Sequence, residues 1–317
     1  MKSFAFVFPG QGSQAVGMLD AWGDHPVVAA TLREASDALD EDVARLIHEG
    51  PKEALALTTN TQPVMLVAGI AAWRAWLAEG GSKPALVAGH SLGEYSALVA
   101  SGVLTLAQAA PLVRFRAQAM QQAVPVGVGA MAAVLGMDAE KVKAGCAEVT
   151  AGFGPGSAEV VEAVNFNDPM QTVIAGSKAA VDKACEVLKA QGAKRALPLP
   201  VSAPFHSSLM RPAAEALRER LASVSFAAPQ IPILNNIDVA VETDADRIRD
   251  ALVRQAAGPV RWVESVLALK ARGVEVIVEC GPGKVLAGMA KRISSELVAA
   301  SVYDPATRAE TQQLLGA

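Results

Sequence analysis

The residue best placed to do chemistry is Ser91, in the pentapeptide Gly89-His90-Ser91-Leu92-Gly93, a G-x-S-x-G motif. Serine is a weak nucleophile until a neighbouring base takes its proton, and it then forms a covalent ester with an acyl substrate. The flanks suit that chemistry. Ala85-Leu86-Val87-Ala88 is short and apolar, like a buried strand, and Glu94 to Ala100 reads as a helix that stops near Gly102. Strand, sharp turn and helix together make a nucleophile elbow. The glycines let the chain turn tightly, and the head of the helix offers free N–H groups to developing negative charge. The alternative is a serine in an ordinary glycine-rich turn.

A serine nucleophile needs a base. The chain has four histidines, His25, His48, His90 and His206. His25 and His48 lie in polar stretches and are expected to be solvated. His90 adjoins Ser91, but neighbours across a sharp turn point apart. His206 follows Pro204 in the stiffened loop Val201 to Ser208 and is the candidate base. No third acid is evident: of Asp138, Asp168 and Asp182, the first and last read as helix-surface residues. A backbone carbonyl or amide can instead fix the tautomer and ring position of the base. Arg116 would be the binding group for an acyl chain that carries a carboxylate, since a guanidinium pairs bidentately with one. Helical periodicity alone places Arg116 on the surface. Gly10-x-Gly12 with Gly17 follows a strand, but the spacing is wrong for a dinucleotide loop. Gly281-Pro282-Gly283-Lys284 lacks the phosphate-loop pattern and reads as a second elbow-type turn without a nucleophile.

The elements that must position these residues alternate between helix and strand. Phe4 to Phe8 predicts a first buried strand, and 63–78 a helix ended by Gly80-Gly81. Thr105 and Gln108 form a capping box opening a helix that carries Arg114 and Arg116. Pro111 lies inside that helix and should kink or restart it. From Gly127 to Leu199 the pattern becomes strand (130–135), helix (138–149), strand (160–166), strand (171–175), helix (179–191), strand (194–199), the ferredoxin-like order. Asp138 and Ser177 are placed to cap its two helices. Strands at 231–234 and 274–279 and helices at 247–255 and 263–272 return to the earlier pattern. The expectation is an α/β fold: a large hydrolase-like α/β domain from 1–126 and 200–317, with an inserted ferredoxin-like subdomain at 127–199.

Composition bounds the function. In 317 residues, 51% are hydrophobic but only 4% aromatic, so a large aliphatic core is expected. The formal charge of −4 gives no nucleic-acid signal. Cys146, Cys185 and Cys280 are widely spaced, without metal-ligand spacing, and read as reduced thiols of a cytoplasmic protein. The apolar run from Val64 to Trp73 meets Arg74 well short of a membrane span. No metal, cofactor, nucleic acid or membrane is expected, and the chain is expected to act as a monomer.

Together these pieces resemble the malonyl-CoA:acyl carrier protein transacylase family, the loading enzymes of dissociated fatty-acid synthesis. The resemblance runs from Phe4 to about Arg292, through Phe8-Pro9-Gly10-Gln11-Gly12-Ser13-Gln14, the Ser91 elbow with Glu94, Gly129-Ala130-Met131-Ala132-Ala133 and Asn165-Phe166-Asn167. It continues through Pro204-Phe205-His206, Asn235-Asn236, Gly258-Pro259-Val260-Arg261-Trp262 and Gly281-Pro282-Gly283-Lys284-Val285-Leu286. It implies Ser91 as nucleophile, His206 as general base and the N–H groups of Gln11 and Leu92 as the oxyanion hole. It also implies Arg116 as the malonyl clamp and the Gln255 carbonyl as the group orienting His206. The implied substrates are malonyl-CoA and acyl carrier protein. Phe205, where close relatives often carry serine, would wall the acyl pocket. Rival readings are an acyltransferase serving polyketide synthesis, a serine thioester hydrolase and a non-catalytic carrier-docking subunit. Lys194, Arg195, Lys284, Lys291 and Arg292 are candidates for docking an acidic carrier.

Overall fold

The computed structural model of the chain describes residues 1–316. Among the described residues ten strands form two sheets. In chain order they are β1 (Phe4–Phe8), β2 (Leu86–Gly89), β3 (Gly129–Leu135), β4 (Val161–Asp168), β5 (Gln171–Ser177), β6 (Arg195–Pro198), β7 (Ile233–Leu234), β8 (Val241–Glu242), β9 (Val276–Cys280) and β10 (Val298–Val302). The larger sheet has the order β10-β9-β1-β2-β7-β8. Its first five strands are parallel and β8 pairs antiparallel with β7. Parallel strands are covered on both faces, so they read as unbroken apolar runs. β1, Phe-Ala-Phe-Val-Phe, is buried at every position. The helix Thr58–Ala78 packs beside it and is buried around most of its circumference. There Phe6 meets Trp73 and Trp76 edge-on, with ring centroids 5.5 and 5.3 Å apart. No helix among the described residues is long and apolar enough to cross a membrane.

The second sheet is built from β3 to β6, in the order β4-β5-β3-β6 and antiparallel throughout. The helices Ala139–Gly152 and Lys178–Ala190 bury Val142, Cys146, Ala184 and Leu188 against Ala132, Val134 and Ile174 of this sheet. Its edge strand β4 is tied to the rest of the chain. Val260 N–H donates to the Val164 carbonyl at 2.8 Å, and Phe166 N–H donates to the Val260 carbonyl at 3.0 Å. Asp168 at the end of β4 pairs with Arg292 at 2.7 Å. Arg292 is therefore paired through Nε with a buried carboxylate while its side chain stays 53% exposed.

Several local expectations need correction. The helix expected from Pro63 starts at Thr58. Pro63 lies more than one turn inside it. Of the two outcomes expected at Pro111, a kink or a restart, the restart is absent: one helix runs from Leu106 to Gln122. The capping box closes that helix's start, with Gln108 N–H donating to Thr105 Oγ1 at 3.2 Å and Thr105 N–H to Gln108 Oε1 at 2.9 Å. Burial of Ala109, Ala110, Leu112 and Val113 on either side of Pro111 outweighs its one missing hydrogen bond. Asp138 caps its helix as expected, but Ser177 makes no capping bond, because its hydroxyl is occupied by Glu159 and Val160. His25 is not solvated. It caps the helix Pro26–Leu39 by accepting from Val27 N–H at 3.3 Å, and its side chain is 14% exposed.

Candidate active site

Ser91 leaves the carboxyl end of β2, the edge at which open parallel sheets bind ligands. The chain turns there through a left-handed backbone, with φ of 52° at Ser91, and enters the helix Gly93–Ala100. Non-glycine residues rarely adopt that conformation, and it holds the side chain out of the turn. The flanking glycines are required by space. A Cβ on Gly89 would run into the Gly93 carbonyl, and one on Gly93 would run into the Phe8 carbonyl of β1. Two side chains hold the strained residue from either side. Asn236 accepts from Ser91 N–H at 2.7 Å, and Gln255 Nε2 donates to the Ser91 carbonyl at 3.1 Å.

His206 also has a left-handed backbone, with φ of 66°, in the loop after β6. Its Nε2 lies 2.7 Å from Ser91 Oγ. Its Nδ1 faces two carbonyl oxygens, Gln255 at 2.9 Å and Gly258 at 3.2 Å. Carbonyls only accept, so the proton sits on Nδ1 and the Nε2 lone pair is left for the serine. Two carbonyls thus do what an acid does in a catalytic triad. Burial, reinforced by the nearby charge of Arg116, pushes the His206 pKa down to about 3, so the ring is neutral at pH 7. His90 points elsewhere, with Nε2 2.8 Å from Asn167 Oδ1 and its ring against Trp262.

Arg116 is 1% exposed, against the surface position that periodicity suggested. Its helix packs against the helices Thr58–Ala78, Arg211–Ala222 and Pro26–Leu39, and Ala109, Val113, Arg116, Ala117 and Met120 share its buried face. Nη1 donates to Gln62 Oε1 at 2.6 Å, and Nη2 donates to Gln255 Oε1 at 3.0 Å and to Ser91 Oγ at 3.2 Å. These partners are neutral. The arginine has no directly bonded carboxylate, and Nε–H has no acceptor among the described residues. A buried guanidinium held open beside a nucleophile is suited to an anionic part of the substrate.

Gln11, Gln62, Ser91, Leu92, Arg116, Phe205 and His206 line one cavity of about 120 Å³, whose apolar wall includes Met120, Met131 and Val201. The backbone N–H groups of Gln11 and Leu92 donate to no acceptor among the described residues. They sit after β1 and at the head of the elbow helix. Among the described residues no group of three or more His, Cys, Asp and Glu side chains could hold a metal. Ser91, His206, Gln11, Leu92, Arg116, Phe205 and Gln255, named from the sequence, are brought together here.

A family model for the acyl transferase domain matches residues 5–316. The chain belongs to the acyl transferase domain family. Within this family, it is 52% identical to a malonyl CoA-acyl carrier protein transacylase of Salmonella typhimurium, covering 96% of this chain and 97% of that one. A namesake from Bacillus subtilis is 44% identical over 97% of this chain and 95% of its own length. Among solved structures, an acyl-carrier-protein S-malonyltransferase from Burkholderia pseudomallei is 63% identical, with a TM-score of 0.95 and coverage of 99% and 100%. A malonyl-transacylase in complex with a type II PKS acyl-carrier protein is 49% identical, again with a TM-score of 0.95 and coverage of 99% and 100%.

This acyl transferase site also uses residues that sequence reasoning did not single out. Gln62 sits on an apolar helix among Thr61, Pro63 and Val64, where one buried amide leaves no periodic signature. Asn236 was visible only as part of a motif, although its side chain bridges Ser91 N–H and the Gly89 carbonyl. Gln255 was expected to act through its main chain alone, but its side chain contacts Arg116, Ser91 and Glu94 as well. A charged residue at Glu94, within an otherwise apolar helix directly after the nucleophile, was the one available signal for that carboxylate.

Proposed function

We propose that this chain is an [acyl-carrier-protein] S-malonyltransferase that moves the malonyl group from malonyl-CoA to the phosphopantetheine thiol of acyl carrier protein, in fatty-acid biosynthesis. The observation that carries this reading is a buried, unneutralised guanidinium 3.2 Å from a serine hydroxyl that is itself bonded to a neutral histidine. The names of relatives matching nearly the whole chain support the malonyl group and the carrier.

The reaction is a ping-pong transfer. His206 Nε2 takes the Ser91 proton as Oγ attacks the thioester carbonyl. The tetrahedral oxyanion is received by the N–H groups of Gln11 and Leu92, and one such donor is typically worth roughly 3–4 kcal/mol. The C–S bond breaks, CoA leaves as the thiol with the proton from His206, and malonyl-Ser91 remains. The carrier thiol then gives its proton to His206 and attacks the ester, releasing Ser91. Arg116 pairs with the malonyl carboxylate throughout, and Phe205 with Met120 and Met131 forms the apolar wall. The Gln255 carbonyl keeps His206 in the reactive tautomer. No metal or redox cofactor takes part.

The chain is further proposed to work as a cytoplasmic monomer, with 1–126 and 200–317 as the catalytic domain and 127–199 as an inserted ferredoxin-like subdomain. The antiparallel order of β3 to β6 supports that division. A polyketide carrier is a second reading, favoured by the likeness to a transacylase in complex with a type II PKS acyl-carrier protein. Radiolabelled malonyl-CoA with holo-carrier tests the proposal. Transfer of label to the carrier thiol is expected, and release of free malonate at the same rate with or without carrier would make the protein a hydrolase. Comparing carriers of the two pathways at equal concentration decides between them.

A further inference from the structure

Glu94 lies in the first turn of the elbow helix and is 2% exposed. One of its oxygens, Oε2, accepts from Gln255 Nε2 at 2.8 Å and from the Asn236 backbone N–H at 3.0 Å. These partners belong to the two straps on Ser91. Asn236 holds the serine N–H and Gln255 holds the serine carbonyl, so Glu94 joins both straps behind the nucleophile. Gln255 also touches Ser91, His206 and Arg116. Its main-chain carbonyl faces His206, and its amide oxygen accepts from Arg116.

A glutamine amide can turn over, exchanging its oxygen and nitrogen ends. An ionised carboxylate only accepts, so Glu94 forces the amino end of Gln255 towards itself and the oxygen end towards Arg116. Glu94 is also the carboxylate whose charge acts on Arg116 from within the buried cluster. Tyr95, whose ring lies 5.5 Å from the guanidinium, is the other group acting on that charge. Burial raises the Glu94 carboxyl to about 7, Gln255, Asn236 and Arg116 pull it back, and Asp238 pushes it up.

We infer that Glu94 is a positioning residue for the transfer, fixing the Gln255 amide that holds Arg116 and setting, through its charge, how tightly the arginine grips an acyl carboxylate. This rests on the transfer reading above. Where Glu94 is ionised, above about pH 7, the malonyl carboxylate enters a site that already contains one negative charge, so the clamp holds the acyl group while still letting it leave with the carrier. A neutral acyl group does not sense that charge.

Two variants separate the two roles. Glu94→Gln keeps an oxygen able to accept from both Gln255 and Asn236 but removes the charge. It should lower the KM for malonyl-CoA severalfold and leave the KM for acetyl-CoA near that of the wild type. Glu94→Asp keeps the charge but is one methylene too short to hold Gln255. It should lower kcat/KM for malonyl-CoA more than for acetyl-CoA, moving their ratio opposite to Glu94→Gln, because only the malonyl carboxylate meets the loosened Arg116. Acylation is read as the mass added to intact protein, with melting temperature measured beside it. Should Glu94→Gln show the wild-type malonyl-to-acetyl KM ratio, or Glu94→Asp leave the malonyl-to-acetyl kcat/KM ratio unmoved, the inference is overturned. It falls equally if either variant changes only the melting temperature. A wild-type protein that gains no malonyl group at all would refute the transfer reading and the inference with it.

Discussion

Replacing Arg116 by alanine should reverse acyl-group preference, and the structure bounds the size of the effect. The guanidinium is buried, its Nη2 is 3.2 Å from the nucleophile, and its protein partners Gln62 and Gln255 are neutral amides. An incoming carboxylate therefore meets a cation that is not already paired with a directly bonded acid. Removing one partner of a buried, hydrogen-bonded charge pair typically costs about 2–5 kcal/mol. At about 1.4 kcal/mol per decade this is roughly a 30- to 5000-fold loss in kcat/KM for malonyl-CoA. Acetyl-CoA has no carboxylate to leave unpaired. Its loss comes only from the freed Gln62 and Gln255 amides, and that part is common to both substrates. The assay mixes malonyl-CoA and acetyl-CoA in one tube and reads the two masses on Ser91 by intact-protein mass spectrometry. The ratio cancels any shared structural damage. Retention of the wild-type malonyl-to-acetyl ratio in Arg116→Ala would refute the clamp, whatever happened to the absolute rates.

Three further outcomes follow from the same geometry. His206→Ala should slow acylation and carrier transfer by similar factors of about 10²–10⁴, since one base serves both steps; near wild-type rates at neutral pH would point to another base. Phe205→Ser should narrow the preference for malonyl over methylmalonyl, which a single methyl limits to roughly 10–200-fold. If the ring only supports packing around Met210 and Val201, that kcat/KM ratio stays fixed and only the melting temperature falls. Glu94 has a folded pKa raised from 4.5 to about 7, chiefly by burial, so its contribution to stability is fully present below 4.5 and is lost as pH rises through 7. The stability of the wild type relative to Glu94→Gln should thus decline across that window, by at most about 1.4 kcal/mol per pH unit, and a flat difference would contradict the assignment.

Features that are local in the chain were legible in the sequence. The elbow could be read because strand, turn and helix adjoin within 16 residues or so, and its glycines are demanded by contacts with Gly93 and with β1. β1 is recognisable because a strand covered on both faces is apolar throughout. Arg116 resisted pattern reading because of its residue type: Leu106, Ala109, Ala110, Val113, Ala117 and Met120 mark one buried face at helical spacing, and the arginine lies on that face. Pro63 and Pro111 both lie inside continuous helices, where tertiary packing outweighs one lost hydrogen bond. His25 looked solvated because a capping bond to Val27 and a contact with Glu79, 54 residues away, leave no mark on local composition. The network of Gln62, Glu94, Asn236 and Gln255 joins four separate segments. Its members are ordinary polar residues in sequence, and only the fold brings their donors and acceptors into register.

The most direct test of the account is the mass of the protein after brief exposure to malonyl-CoA, followed by peptide mapping. The wild type should gain one malonyl group, located on the peptide that carries Ser91, and lose it when holo-carrier is added. Ser91→Ala should gain nothing while keeping its fold. A malonyl adduct on Ser91→Ala, or a wild-type adduct on any other residue, would contradict the central claim.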